Sequence, residues 1–113
     1  MNVAIVGSRE FNDYPTMDKA VESKELSIKS IISGGATGAD TLAERYAKEH
    51  GLSLIVKYPD WATHGKRAGS LRNAEIVSLA DVVFAFRINN SPGTTITINM
   101  ARQKKIPVYV YDC

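Results

Sequence analysis

Short β-branched apolar runs alternate with stretches of helical spacing along the whole chain, and few folds accommodate that pattern. Val3-Ala4-Ile5-Val6 ends at Gly7 and reads as a buried strand. Pro15 opens an amphipathic stretch reaching about Glu25, with Met17, Ala20 and Val21 on one face. A second strand is predicted over residues 28–32 and stops at Gly34-Gly35. Residues 37–50 carry the clearest helical signal. Thr37 and Asp40 fit a capping box, Leu42, Ala43, Tyr46 and Ala47 share a face, and Gly51 follows as a stop. A third strand is expected at residues 54–57, ended by Pro59. A polar loop then leads to a helix over about 68–80 in which Leu71, Ile76 and Leu79 should be buried. Residues 82–86 and 108–111 supply two more strands. Thr95 to Met100 alternates like a strand, but parallel neighbours need a crossover of about a dozen residues, so residues 94–105 are assigned to a helix on which polar Asn99, Arg102 and Gln103 can share a face.

The β-α alternation predicts an α/β fold: a three-layer, Rossmann-like parallel sheet of about five strands with helices on both faces. Right-handed crossovers favour the strand order 3-2-1-4-5. The order reverses between strands 1 and 4, and ligands of such sheets sit beyond the C-terminal strand ends at that point. The 113 residues fit one domain over 1–113. A net charge of +2 is too small to argue for a nucleic acid or membrane partner. The lone Cys113 cannot make an internal disulfide. Neither a signal peptide nor an apolar stretch of about 20 residues is evident, so a cytoplasmic location is expected.

The turns after the strands are unusual. Gly7-Ser8-Arg9 follows strand 1, with an arginine suited to bidentate phosphate contact. Strand 2 is followed by Ser33-Gly34-Gly35-Ala36-Thr37-Gly38-Ala39-Asp40, where glycines and small hydroxyls precede a helix. Glycines let backbone approach a ligand closely, and a helix N-terminus favours an anion. Pro92-Gly93-Thr94-Thr95 repeats the arrangement after strand 4. The plain alternative is a tight turn with Thr37 as an ordinary cap. Asp40 would repel a phosphate, so it either caps its helix or meets a ribose hydroxyl. Arg72 and Asn73 lie early in the helix over 68–80; Arg72 could bind a ligand or pair with Glu75 or Asp60. Trp61, the only tryptophan, could stack on a base, though packing at the core edge or a subunit interface is favoured. Glu10, Asp40, Asp60 and Glu75 are the acidic candidates for a general base, and none is placed well enough to assign catalysis. His50, His64 and Cys113 do not make a metal site, and no cofactor is expected.

These turns in this order resemble the SLOG superfamily, which joins DprA-like DNA-processing proteins and LOG-like nucleotide hydrolases, and most of all its small YspA/YpsA-related branch. The resemblance rests on residues 3–11, 32–40, 58–61, 72–77, 80–86 and 92–95, spanning nearly the whole chain. It implies a Rossmann-like, homo-oligomeric protein that binds a nucleotide or nucleotide-derived small molecule. The ligand would be held by Gly7, Ser8, Arg9, Ser33, Gly34, Gly35, Thr37, Gly38, Asp40, Arg72, Asn73, Pro92, Gly93, Thr94 and Thr95. LOG-like enzymes carry P-G-G-x-G-T-x-x-E with a catalytic glutamate; the position three residues after Thr95 is Ile98, which cannot take up a proton. Arg72 could match their supporting arginine. The departure counts against N-glycosidic hydrolysis, which stands as the alternative to ligand binding. A third reading, single-stranded DNA binding, would need Lys57, Lys66, Arg67, Lys104 and Lys105 to gather into one basic patch.

Overall fold

The structure is a computed structural model that describes residues 1–113. Its strands are β1 (Asn2–Gly7), β2 (Ser30–Ser33), β3 (Ser53–Val56), β4 (Val82–Arg87) and β5 (Val108–Asp112). Its helices are α1 (Tyr14–Glu22), α2 (Ala39–Glu49), α3 (Trp61–His64), α4 (Ala68–Leu79) and α5 (Pro92–Lys104), with a 3-10 turn, Gly65–Arg67, before α4. The strands form one parallel sheet in the order β3-β2-β1-β4-β5, as the crossover argument predicts. No helix is long and apolar enough to cross a membrane.

Alternate residues of the central strands feed two cores. Val3, Ile5, Ile31, Phe84 and Phe86 point to one face and meet Met17 and Val21 of α1 and Ala43, Tyr46 and Ala47 of α2. Ala4, Val6, Ile32, Val83 and Ala85 point to the other and meet Ile76 and Val77 of α4 and Ile98 and Ala101 of α5. The first core is rich in rings: Phe11 stacks on Phe86 at 5.0 Å, and Phe86 on Tyr111 at 5.1 Å. The second core uses small strand residues. Each fully buried valine, isoleucine or phenylalanine contributes roughly 1.5–3 kcal/mol relative to exposure.

Several boundaries differ from expectation. The helix predicted from Thr37 starts at Ala39 with Gly38 as its N-cap, and no side chain caps it, so the capping box is absent. Gly38 adopts φ +74, a left-handed conformation that ends the turn and postpones the helix. The polar loop after β3 contains α3, capped by Asp60, whose carboxylate accepts from the Thr63 amide at 3.1 Å. In α4, Leu79 is exposed and Val77 is buried in its place. The ambiguous Thr95–Met100 segment is helical as expected, and Asn99, Arg102 and Gln103 are all exposed.

Candidate functional site

Three turns meet at the C-terminal edge of β1, β2 and β4, and Ser8 ties them together. Its amide donates to the Phe86 carbonyl at 2.9 Å and its carbonyl accepts from Phe11 at 3.1 Å and Ala39 at 3.2 Å. Its buried hydroxyl accepts from the Ile88 amide at 2.8 Å. Gly38 fits because it has no side chain: an ideal Cβ would fall 2.3 Å from the Arg9 carbonyl oxygen and 2.5 Å from that of Ser8. Gly7 is equally confined, 2.3 Å from the Phe86 oxygen by the same construction.

Two neighbouring cavities open on this rim. The first, about 350 Å³, has Val6 and Ile76 as its apolar floor. Its polar wall includes Gly7, Ser8, Arg9, Glu10, Asp40, Arg72, Asn73, Ser91, Gly93, Thr94 and Thr97. The second, about 470 Å³, is lined by Gly34, Gly35, Thr37, Tyr58, Pro59 and Trp61. Arg9, Ala36 and Arg72 belong to both walls. Each volume lies within the roughly 300–1,000 Å³ typical of small-ligand sites.

Arg72 is the central cation. Its Nη1 donates to the Gly34 carbonyl, and its Nε donates to Asn73 Oδ1 at 2.8 Å. It pairs with neither Glu75 nor Asp60, correcting the pairings considered above; Glu75 lies 3.9 Å from Lys57, and Asp60 caps α3. Arg72 and Asp40 both close on Gly34. An ideal Cβ there would sit 2.8 Å from Arg72 Nη1 and 2.8 Å from Asp40 Oδ2. The Asp40 carboxylate accepts from the Ala36 amide at 3.1 Å. Burial raises its pKa; the Ala36 amide, the Arg72 charge and the Gly34 amide act in the opposite direction. Asp40 therefore organises the β2 turn from within rather than capping α2.

At the start of α5, Pro92 has no N–H to leave unpaired, and the amides of Gly93 and Thr94 have no partner within the fold. Both residues lie on the first cavity wall. A Cβ on Gly93 would meet nothing within 4 Å. Thr95 points elsewhere: its hydroxyl donates to the Ser91 carbonyl at 2.9 Å and accepts from Arg87 Nη1 at 3.1 Å.

The predicted residues thus divide. Gly7, Ser8, Arg9, Asp40, Arg72, Asn73, Gly93 and Thr94 line the first cavity, and Gly34, Gly35 and Thr37 the second. Ser33, Gly38, Pro92 and Thr95 line neither; Ser33 is fully buried and donates to the Asp40 carbonyl at 3.0 Å. Glu10, Ser91 and Thr97 line the first cavity although sequence reasoning did not assign them as ligand contacts. Thr97 follows Gly93 by one helical turn, a spacing that could have found it. Trp61 is not packed at a core edge: it is 54% exposed.

Ile98, at the position of the LOG-like glutamate, is buried in the second core and absent from both cavity walls. The five basic residues do not form one patch. Lys57 closes β3 at the cavity end, whereas Lys104 sits at the far end of α5 and donates to the carbonyls of Val77, Ser78 and Ala80 at 2.8–3.3 Å. His50 has partners the sequence did not suggest. Asp18, Glu22 and His50 bring one donor atom each within 4.8 Å of one another, joining α1 to the far end of α2.

Residues 1–64 match the pattern of the YspA, cpYpsA-related SLOG family. The chain is 38% identical over 116 residues to the Gene 61 protein of Mycobacterium phage D29, covering 94% of this chain and 92% of that protein. Its fold is similar to DNA processing protein A (DprA) from Streptococcus pneumoniae, with a TM-score of 0.79 and 23% identity over 96% of this chain. The chain spans only 49% of that structure's length, and the likeness concerns the fold. With the family pattern matched over more than half of its residues, this chain belongs to the YspA, cpYpsA-related SLOG family.

Proposed function

We propose that this protein binds a nucleotide or nucleotide-derived small molecule, with a phosphoryl group in the first cavity. One observation carries the reading: the unpaired amides of Gly93 and Thr94, at the positive end of α5, share a cavity wall with Arg9 and Arg72. Amides, helix dipole and the two guanidinium groups act together on an anion there, opposed by Glu10 and Asp40 on the same wall. Family membership and the DprA-like fold are compatible with nucleotide-related binding or DNA processing. The absence of a glutamate at Ile98 and the division of the basic residues between two ends favour small-molecule binding over hydrolysis or single-stranded DNA binding.

The test is a thermal-shift and calorimetric screen of nucleoside mono-, di- and triphosphates, ribose 5-phosphate and an oligonucleotide. A ligand selective for the folded state raises its melting temperature. Arg72→Ala should weaken binding by about tenfold or more, the worth of a charge-assisted contact of about 1.5–3 kcal/mol. The reading fails if no phosphorylated compound binds, or if a folded Arg72→Ala protein binds as tightly as the parent. Released free base during the same incubation would favour hydrolysis instead.

A further inference from the structure

Resting on that reading, we infer that the second cavity takes the planar ring of a nucleobase, so the ligand is a nucleoside phosphate spanning both cavities. Trp61 and Tyr58, 54% and 68% exposed, are two of the largest apolar surfaces left open, and both line this cavity. Isolated exposed aromatics need no explanation, but two on one cavity wall, next to the cavity that carries Arg9 and Arg72, offer a surface for stacking.

Both rings are held in place. Gly35 has φ +72, and a Cβ there would fall 2.5 Å from Tyr58 Cε1 and 2.6 Å from Cδ1. One side of the Tyr58 ring therefore rests against the β2 turn, which admits only glycine, while much of the ring stays open. Trp61 begins α3, fixed by the Asp60 cap, and its Cη2 lies 3.7 Å from an ideal Cβ on Gly69 of α4. The edge of the indole approaches Gly69 while the ring remains half-exposed. Arg9 and Arg72 stand on the boundary between the cavities, where a guanidinium can meet a phosphate on one side and a ring face on the other. The β2 turn and the residues after β3 thus serve the base, and the β1 and β4 turns serve the phosphate.

Trp61 is the sole tryptophan, so the site carries its own fluorophore. The four nucleoside 5′-monophosphates, ribose 5-phosphate and inorganic phosphate are titrated against the whole protein by calorimetry and by Trp61 emission. At least one nucleoside monophosphate should quench Trp61 and bind about tenfold or more tightly than ribose 5-phosphate, which should bind without quenching. Trp61→Ala should lose that advantage and leave ribose 5-phosphate affinity unchanged; Trp61→Phe should keep most of it. Equal binding of nucleoside monophosphates and ribose 5-phosphate overturns the base subsite and leaves the phosphate site standing. If neither binds, both readings fall. A concentration-dependent blue shift of Trp61 without ligand, matched by a rise in mass in light scattering that Trp61→Ala abolishes, would place a second copy of the chain on the platform and also overturn the inference.

Discussion

Replacing Gly93 by alanine should make this protein more stable and a poorer binder. Glycine in a helix costs roughly 0.5–1 kcal/mol relative to alanine because the unfolded chain has more conformations to lose. Gly93 lies in the first turn of α5, and its added Cβ would meet nothing within 4 Å, so no steric loss offsets the gain. For a domain of this size, that corresponds to a rise of about 2–4 °C in melting temperature. Gly93 lines the first cavity, so the same methyl group is expected to crowd an anion beside the free Gly93 and Thr94 amides. A phosphate oxygen must come within about 2.9 Å of an amide nitrogen to accept from it. Obstructing one charge-assisted contact should weaken binding about 10- to 100-fold. Differential scanning fluorimetry without ligand and calorimetry with the best nucleotide read the two effects separately. A destabilised variant would show that the space around Gly93 is not open. A stabilised variant with unchanged affinity would show that the anion lies elsewhere, and the role of α5 in binding would be wrong.

Gly38→Ala should behave oppositely. With φ +74 and carbonyl oxygens 2.3 Å and 2.5 Å from the new Cβ, it should lose about 3 kcal/mol in urea unfolding. Lys104→Met should cost about 1 kcal/mol in the same assay, since Lys104 Nζ serves three carbonyls at the C-terminal end of α4. Asp40 sets a pH dependence. Its folded pKa is raised above the ordinary 3.8 mainly by burial, so the folded state holds the proton more tightly. The resulting stabilisation is complete below 3.8 and is lost as pH rises through the raised value. Relative to Asp40→Asn, the parent should therefore lose stability as pH climbs from 4 towards neutrality; a parallel pair of pH–stability curves would contradict this.

The fold was legible because its signals agree at several levels. Apolar runs such as Val3–Val6 end in glycine, the connections are long enough for crossovers, and right-handed crossovers leave few topologies, of which 3-2-1-4-5 is the first choice. The segment around Thr95–Met100 shows the limit of local pattern: its alternation suggests a strand, and only the need for a crossover makes it a helix. Gly38 shows another limit. Thr37 and Asp40 have the spacing of a capping box, but the close approach of two turns distant in sequence dictates a left-handed glycine and a later start. The helix α3 was not legible: the stretch after β3 reads as a polar loop, and a four-residue helix has no periodicity to set it apart. At the site, glycine composition located the rim. It could not show that Ser33 faces inward, that Arg72 engages the Gly34 carbonyl, or that Trp61 stays open to solvent. Those facts depend on how α2 and α4 seat their first turns against the ends of the strands.

The knot around Ser8 limits how such a rim can diversify. Lengthening one turn would disturb its two companions, so insertions should be poorly tolerated and recognition should change by exchanging projecting side chains, such as Arg9, Asn73 or Trp61, on an unaltered backbone. The rim is in this sense already shaped, and on the proposed function a ligand should enter it with little rearrangement of the main chain.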